Sequence, residues 1–301
     1  MGLFTRSSGA QVSVTPAAVS PRQAVQATVS TDRPIDKVTS AILEWGYTNF
    51  YRYRWAGRAD AAATAANDSW FMMGEVGTDA GSEKGTEDWV GVTKVDLPVA
   101  NGEFTGGSLS FTVPSWAPAS SDALARWSAR LTVERGGRDI DTRGDFTVII
   151  GRGDLEITDE PVRRTGGDGE TELDIVLPSL VFRAGEMITG TITLTPQVDM
   201  SDGELSIYWG RKTISHPLEK TPAAGGEARS GDTIKLGKGI PLRKSAPVSV
   251  PFSVPLPADA APTGETVHST LVNFLEATLM YSKWTQGIEK VRKKIAIVNA
   301  P

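Results

Sequence analysis

The chain has 301 residues, 40% of them hydrophobic and 22% charged, with a net charge of −5 and no cysteine. That length suits two domains of roughly 150 residues, each able to bury about 70% of its unfolded surface, and the composition excludes a disordered tail. The missing cysteines exclude disulfides, thiolate metal sites and a cysteine nucleophile, and the acidic balance argues against nucleic-acid binding.

From Met1 to Val14 there is no apolar core of the about 7–15 residues that a signal peptide needs. No window approaches the ~20 apolar residues of a membrane span, and Arg6 stands where myristoylation wants a small residue. The expected location is the cytoplasm. Short alternating runs follow: Val12/Val14, Val25/Ala27/Val29, the aromatic stretch Leu43 to Trp55, Val90/Val92, Leu109/Phe111/Val113, Trp127/Ala129/Leu131/Val133 and Phe146/Val148/Ile150. Each skips one residue, the period of a half-buried strand. The second half continues with Leu155/Ile157, Leu173/Ile175/Leu177, Ile188/Ile192/Leu194, Leu205/Ile207/Trp209, Phe252/Val254, Leu275/Ala277/Leu279 and Ile295/Ile297. Gly and Pro, 31 and 18 in number, punctuate these runs, which reads as all-β with antiparallel sandwiches. Ser121 to Trp127 is the best helix candidate, with a loop entering a strand as the alternative.

The chain also repeats itself. Phe111-Thr-Val-Pro114 with Ala117-Pro118 returns as Phe252-Ser-Val-Pro255 with Ala261-Pro262, and Ser20 to Val29 matches Arg183 to Ile192 in pattern. Phe and Val two apart face one core, and Pro, lacking an N–H, ends the ladder. A duplicated sandwich is therefore expected, with domains 1–152 and 153–301 meeting at the Gly-rich segment Gly151 to Asp154.

Val250-Pro-Phe-Ser-Val-Pro-Leu-Pro257, Ala261-Pro-Thr263, the long run Thr270 to Tyr281 and the closing Lys293-Lys-Ile-Ala-Ile-Val298 resemble the C-terminal domain of the arrestin family. Phe182-Arg-Ala-Gly185 is similar to that family's opening strand pair, and among bacterial relatives the likeness is with the sporulation-control branch. The resemblance implies two immunoglobulin-like or arrestin-like β-sandwich domains in tandem. No phosphate-sensing arrangement is found by matching motifs, so receptor desensitisation does not carry over.

Motifs for chemistry are missing. His216 and His268 stand in no metal spacing and read as structural or solvated. There is no G-x-S-x-G, no P-loop and no credible G-x-G-x-x-G after a strand. The acidic run Asp168 to Asp174 lacks EF-hand spacing and reads as a solvated turn. Arg143-Gly-Asp145 and Arg152-Gly-Asp154 sit among turn residues, and the sequon Asn67-Asp-Ser69 is idle in a cytoplasmic protein. The expectation is no enzyme, no cofactor and no metal.

Two long loops are left. Ala56 to Asp88 is acidic and carries the apolar island Trp70, Phe71, Met72 and Met73, read either as a buried anchor or as a partner-binding tip. Arg211 to Lys244 is basic; Arg211, Lys212, Lys235, Lys238, Arg243 and Lys244 read as an anionic-partner patch, joined by Lys290, Arg292, Lys293 and Lys294, or as a solvated face. The acidic loop of one copy meeting the basic loop of another gives a homo-oligomer. Three functions are thus in view: a non-enzymatic scaffold binding an unidentified protein partner through sheet edges or loops, a peripheral adaptor on an anionic membrane surface, and a carbohydrate-active sandwich enzyme.

Overall fold

A computed structural model describes residues 9–55, 82–155, 157–216, 223–224 and 226–300. Among them there is no α-helix, only two 3-10 turns, Arg152–Asp154 and Trp284–Gln286. In the first half the strands are β1 (Ala10–Thr15), β2 (Ala18–Val19), β3 (Ala24–Thr31), β4 (Val38–Trp55), β5 (Ser82–Asp96), β6 (Gly107–Thr112), β7 (Ala125–Arg135) and β8 (Ile140–Val148). The second half continues with β9 (Arg163–Gly166), β10 (Thr171–Val176), β11 (Val181–Arg183), β12 (Met187–Pro196), β13 (Gly203–Ser215) and β14 (Ala223–Ala224). It ends with β15 (Gly226–Ser230), β16 (Ile234–Ile240), β17 (Val248–Pro255), β18 (Gly264–Glu265), β19 (Ser269–Tyr281) and β20 (Ile288–Val298).

The chain forms two sandwich-like bodies. Unit 1 comprises Met1–Ile150 with His216–Ala224 and Glu265–Ser269, and unit 2 comprises Gly151–Ser215, Gly225–Gly264 and Thr270–Pro301. The main cut thus falls between Ile150 and Gly151, and two short pieces of the second half group with unit 1. Each unit pairs a three-stranded sheet, β1-β3-β6 or β10-β12-β17, with a larger one. The larger sheets run β14-β4-β7-β8-β2, with β5 on β4, and β11-β20-β19-β13-β15, with β16 on β13 and β9 on β20. A short parallel pair closes each: β2 on β8, and β11 on β20. The same order recurs in both units, which is the duplication that the sequence repeat predicts.

Period-two alternation builds both cores. In unit 1, Trp45 stacks on Phe111 at 5.1 Å and Phe146 meets Trp127 at 5.9 Å, so all four rings fill one interior. Each such side chain, removed from water, contributes about 1.5–3 kcal/mol. In unit 2 the corresponding space is filled by Leu205, Ile207, Trp209, Ile188, Ile192, Leu275 and Leu279.

The repeat itself is offset from its letters. Val113 N donates to Gln23 O and Leu256 N to Glu186 O, while Ala117 N donates to Pro114 O and Ala260 N to Pro257 O. The counterpart of Phe111-Thr-Val-Pro114 is therefore Val254-Pro-Leu-Pro257, two residues beyond Phe252-Ser-Val-Pro255. Across the sheet, Phe111 lies opposite Val25 and Val254 opposite Ile188. A slip of two preserves which face each side chain takes, so the pattern matched although the register did not.

After each of these prolines the chain crosses to the other sheet on matching bonds. Ser120 N donates to Val148 O at 3.0 Å while Ser120 Oγ accepts from Val148 N at 2.8 Å. Thr263 N donates to Ile297 O at 2.8 Å while its Oγ1 accepts from Ile297 N at 3.0 Å. The connector carbonyls of Pro118 and Ala261 accept from buried side chains, Trp127 Nε1 at 2.9 Å and Asn273 Nδ2 at 3.2 Å.

Several local expectations are corrected. Ser121 to Leu124 form a turn and β7 starts at Ala125, so the loop alternative holds. The described residues around Leu155 and Ile157 form no strand. Residues 82–88 belong to β5, and the basic segment 211–244 is largely the end of β13 with β15 and β16. Polar, Gly-spaced strands carry weak alternation, which is why they read as loop. Thr263→Val keeps the shape but leaves Ile297 N without its acceptor and Asn273 Nδ2 with the Ala261 carbonyl alone. It lowers stability by about 1–3 kcal/mol, read as a lower urea midpoint, whereas Thr263→Ser stays close to wild type.

Candidate partner-binding surface

The first unit carries a long two-stranded arm. β4 pairs with β7 as far as Asn49↔Ala125, but its ladder with β5 runs on from Phe50↔Glu87 to Trp55↔Ser82. Beyond the end of β7, the two residues of β14 take its place beside Tyr53 and Arg54. Among the described residues β5 pairs only with β4, so its other side is a sheet edge. Charges mark much of that edge, but Trp89-Val-Gly-Val-Thr93 has none and no proline. Its ladder slips at Trp45/Gly46, which leaves Val92 out of register.

Trp89 lies across the β4 backbone at a glycine. A Cβ on Gly46 would come within 2.2 Å of Val90 O and 2.8 Å of Trp89 Cζ2. The Arg130 guanidinium lies 3.9 Å from the Trp89 ring centroid, and burial followed by the charge of Arg143 holds its pKa below the usual arginine value. Unit 2 has a related contact built from the strand on the other side: a Cβ on Gly210 would come within 2.5 Å of the Phe274 ring of β19, which carries Arg292 of β20 at 4.4 Å. Arg292 donates to Glu276, whose other oxygen accepts from the Tyr208 hydroxyl at 2.7 Å. Burial, with the hydrogen bond and charge of Glu276, pushes Tyr208 up to about 12. The sequence signal was the pair Trp45-Gly46 and Trp209-Gly210, a repeated dipeptide that strand alternation passes over.

Both histidines come together in unit 1. His216 N donates to His268 O at 2.8 Å, and His216 Nδ1 lies 3.0 Å from Val267 O. The His268 ring packs on Tyr51 with 5.0 Å between centroids, and Tyr51 OH donates to Asp88. The buried Asn49 amide donates to Leu124 O and Ser269 Oγ, each at 3.1 Å, and its Oδ1 accepts from His268 N at 3.0 Å. These bonds fix the base of the arm. Among the described residues no group of three His, Asp or Glu is arranged to hold a metal.

The apolar island Trp70, Phe71, Met72 and Met73 lies outside the described residues. Of the basic set, Arg211 faces inward at 6% exposure, and burial lowers its pKa. Lys212, Lys235, Lys238, Arg243 and Lys244 are exposed. Lys235 pairs with Glu204 at 3.0 Å, and Arg243 donates to Met200 O at 3.2 Å. Lys293 is likewise buried and held by Asp159 and Glu160 O. The Arg152 of one Arg-Gly-Asp triplet grips both oxygens of Glu186.

No protein-family model matches the chain, and no curated protein matches it. Among solved structures, the crystal structure of Spo0M, sporulation control protein, from Bacillus subtilis is similar, with a TM-score of 0.36 and 14% identity. The match covers 44% of this chain and 51% of that one, so the chain spans about half the length of that structure.

Gly46→Ala drives a methyl into the Val90 carbonyl, which is backbone and has no rotamer to change. The substitution costs about 1–3 kcal/mol and loosens β5 from β4. Hydrogen exchange speeds up along β5 while the β7–β8 amides keep their protection.

Proposed function

We propose that the chain is a non-enzymatic scaffold or adaptor that takes an extended segment of a protein partner onto the free edge of β5. The observation that carries this reading is the uncharged window Trp89 to Thr93 on a strand paired on one side only. Unpaired N–H and C=O groups along such an edge add a strand readily, unless charge or proline prevents it. Trp70, Phe71, Met72 and Met73 lie between β4 and β5 in sequence, which makes them the natural side-chain contacts for the same partner. Support for the membrane reading is reduced, because Arg211 and Lys293 are buried and Lys235 is ion-paired.

Two variants of the full chain test the reading against partners captured by the wild type in its host. Val92→Lys places a charge on the edge, and replacing residues 56–81 by Gly-Asn-Gly removes the island while keeping the β4–β5 ladder. Val92→Lys is expected to lose the partner with an unchanged melting temperature, and bound partner slows hydrogen exchange at Trp89 to Thr93. Capture that survives both changes rules the reading out.

A further inference from the structure

The small sheet of unit 1 ends at β6, which pairs with β3 and with no other strand among the described residues. From Phe104 to Ser121 the chain runs eighteen residues without a charge, although 22% of all its residues are charged. Within β6 there is no proline either. Exposed strand edges are usually guarded by charge, proline or cover, and other edges of this chain follow that rule. β5, β15 and β16 carry charged residues, and β1 lies against β8, where a Cβ on Gly144 would come within 2.6 Å of Val12 O.

The duplicate of β6 is guarded. β17 ends the small sheet of unit 2, and its Pro251 and Pro255 stand opposite Thr191 and Met187 of β12. Proline has no N–H to give to a ladder, so these are the positions whose N–H would point away from the sheet. With Val254 the counterpart of Phe111, they correspond to Ser108 and Thr112. Val113 N turns inward to Gln23 O. Ser108, Ser110 and Thr112, out of phase with it, therefore direct their N–H and C=O groups outward, and all three side chains are exposed. Just past the strand, two residues beyond Pro114, Trp116 is 59% exposed, the most of any large hydrophobic side chain among the described residues.

We infer that β6 pairs antiparallel with β6 of a second copy of this chain, about a two-fold axis at Ser110, joining two small sheets into one of six strands. Ser108 then faces Thr112 of the other copy, so hydroxyls meet hydroxyls and each outward N–H finds a carbonyl. A two-fold pairing brings every charge on an edge close to its own kind, which a charged edge such as β5 resists and β6 does not. Trp116 of each copy reaches the bare backbone of Gly106 and Gly107 of the other, and each ring has roughly 90–150 Å² left to bury. A strand edge with two rings stays below the ~1,200 Å² of a standard interface, so the dimer is weak, with a dissociation constant of about 1–100 µM.

The test is sedimentation equilibrium of the full chain from about 1 to 300 µM, a range that spans the expected constant. A monomer–dimer equilibrium is expected, unchanged when salt rises from about 0.05 to 0.5 M, because the joined edges carry no charge. Amide exchange at Ser108, Ser110 and Thr112 slows as protein concentration rises, while Trp89 to Thr93 of β5 keep their rates. Thr112→Pro copies the guard at Pro255, and Ser110→Lys sets two ammonium groups at the axis; each is expected to weaken the dimer at least about tenfold. Trp116→Ala is expected to weaken it at least about threefold. A chain that stays monomeric throughout overturns the inference. So does a dimer that Ser110→Lys leaves intact, which covers the case in which Thr112→Pro does not fold. A dimer that salt dissociates also overturns it, and points to the acidic and basic segments instead.

Discussion

A chain that leaves one sheet for another must satisfy its backbone on the way, and both units meet that requirement with the same few bonds. Proline stops the ladder of the small sheet, and a hydroxyl residue then makes paired bonds to the last strand of the large sheet. Ser120 with Val148 does this in unit 1 and Thr263 with Ile297 in unit 2. Between them, one carbonyl of the connector is held by a buried donor, Trp127 or Asn273. Without these bonds the two sheets would share a core but not a fixed offset, and Trp45 and Phe111 would have no reason to stack. Buried amide and carbonyl groups tolerate no such vacancy.

The large features were readable because they rest on period two alone. Alternation at Val25/Ala27/Val29 and Ile188/Ile192 gave strands of the right face, and the all-β class followed. Register was not readable from the same signal, since a shift by two residues leaves every face intact. Only hydrogen bonds distinguish Val254 from Phe252 as the partner of Phe111. The segments mistaken for loops, 82–88 and 226–240, are largely strand, but their sequences are mostly polar residues and glycine, so little alternation is left to see.

The candidate surface was less legible still. Gly46 and Gly210 matter because an aromatic ring from elsewhere lies on each, which no local pattern announces. His216 and His268 looked isolated at their distance in sequence, yet they share a hydrogen bond. Arg211 and Lys293 belong by composition to basic clusters, but the pleat turns both inward and gives Lys293 a carboxylate to meet there. A charge count along the chain treats neighbours on a strand as neighbours in space, and alternate residues of a strand point to opposite faces.

The bonds between Asn49 and the segment around Ser269 set the order in which the protein can be made. Asn49 is 220 residues from Ser269 in sequence. On the ribosome, β4 is complete long before its partners His268 and Ser269 exist, so the base of the arm stays open until nearly the whole chain has emerged. Closing contacts so distant in sequence is slow, and through that interval a long unpaired edge is exposed to other chains. The base of the arm is therefore among the last parts of the first unit to close, and a chain cut short before His268 leaves the Asn49 amide without two of its partners.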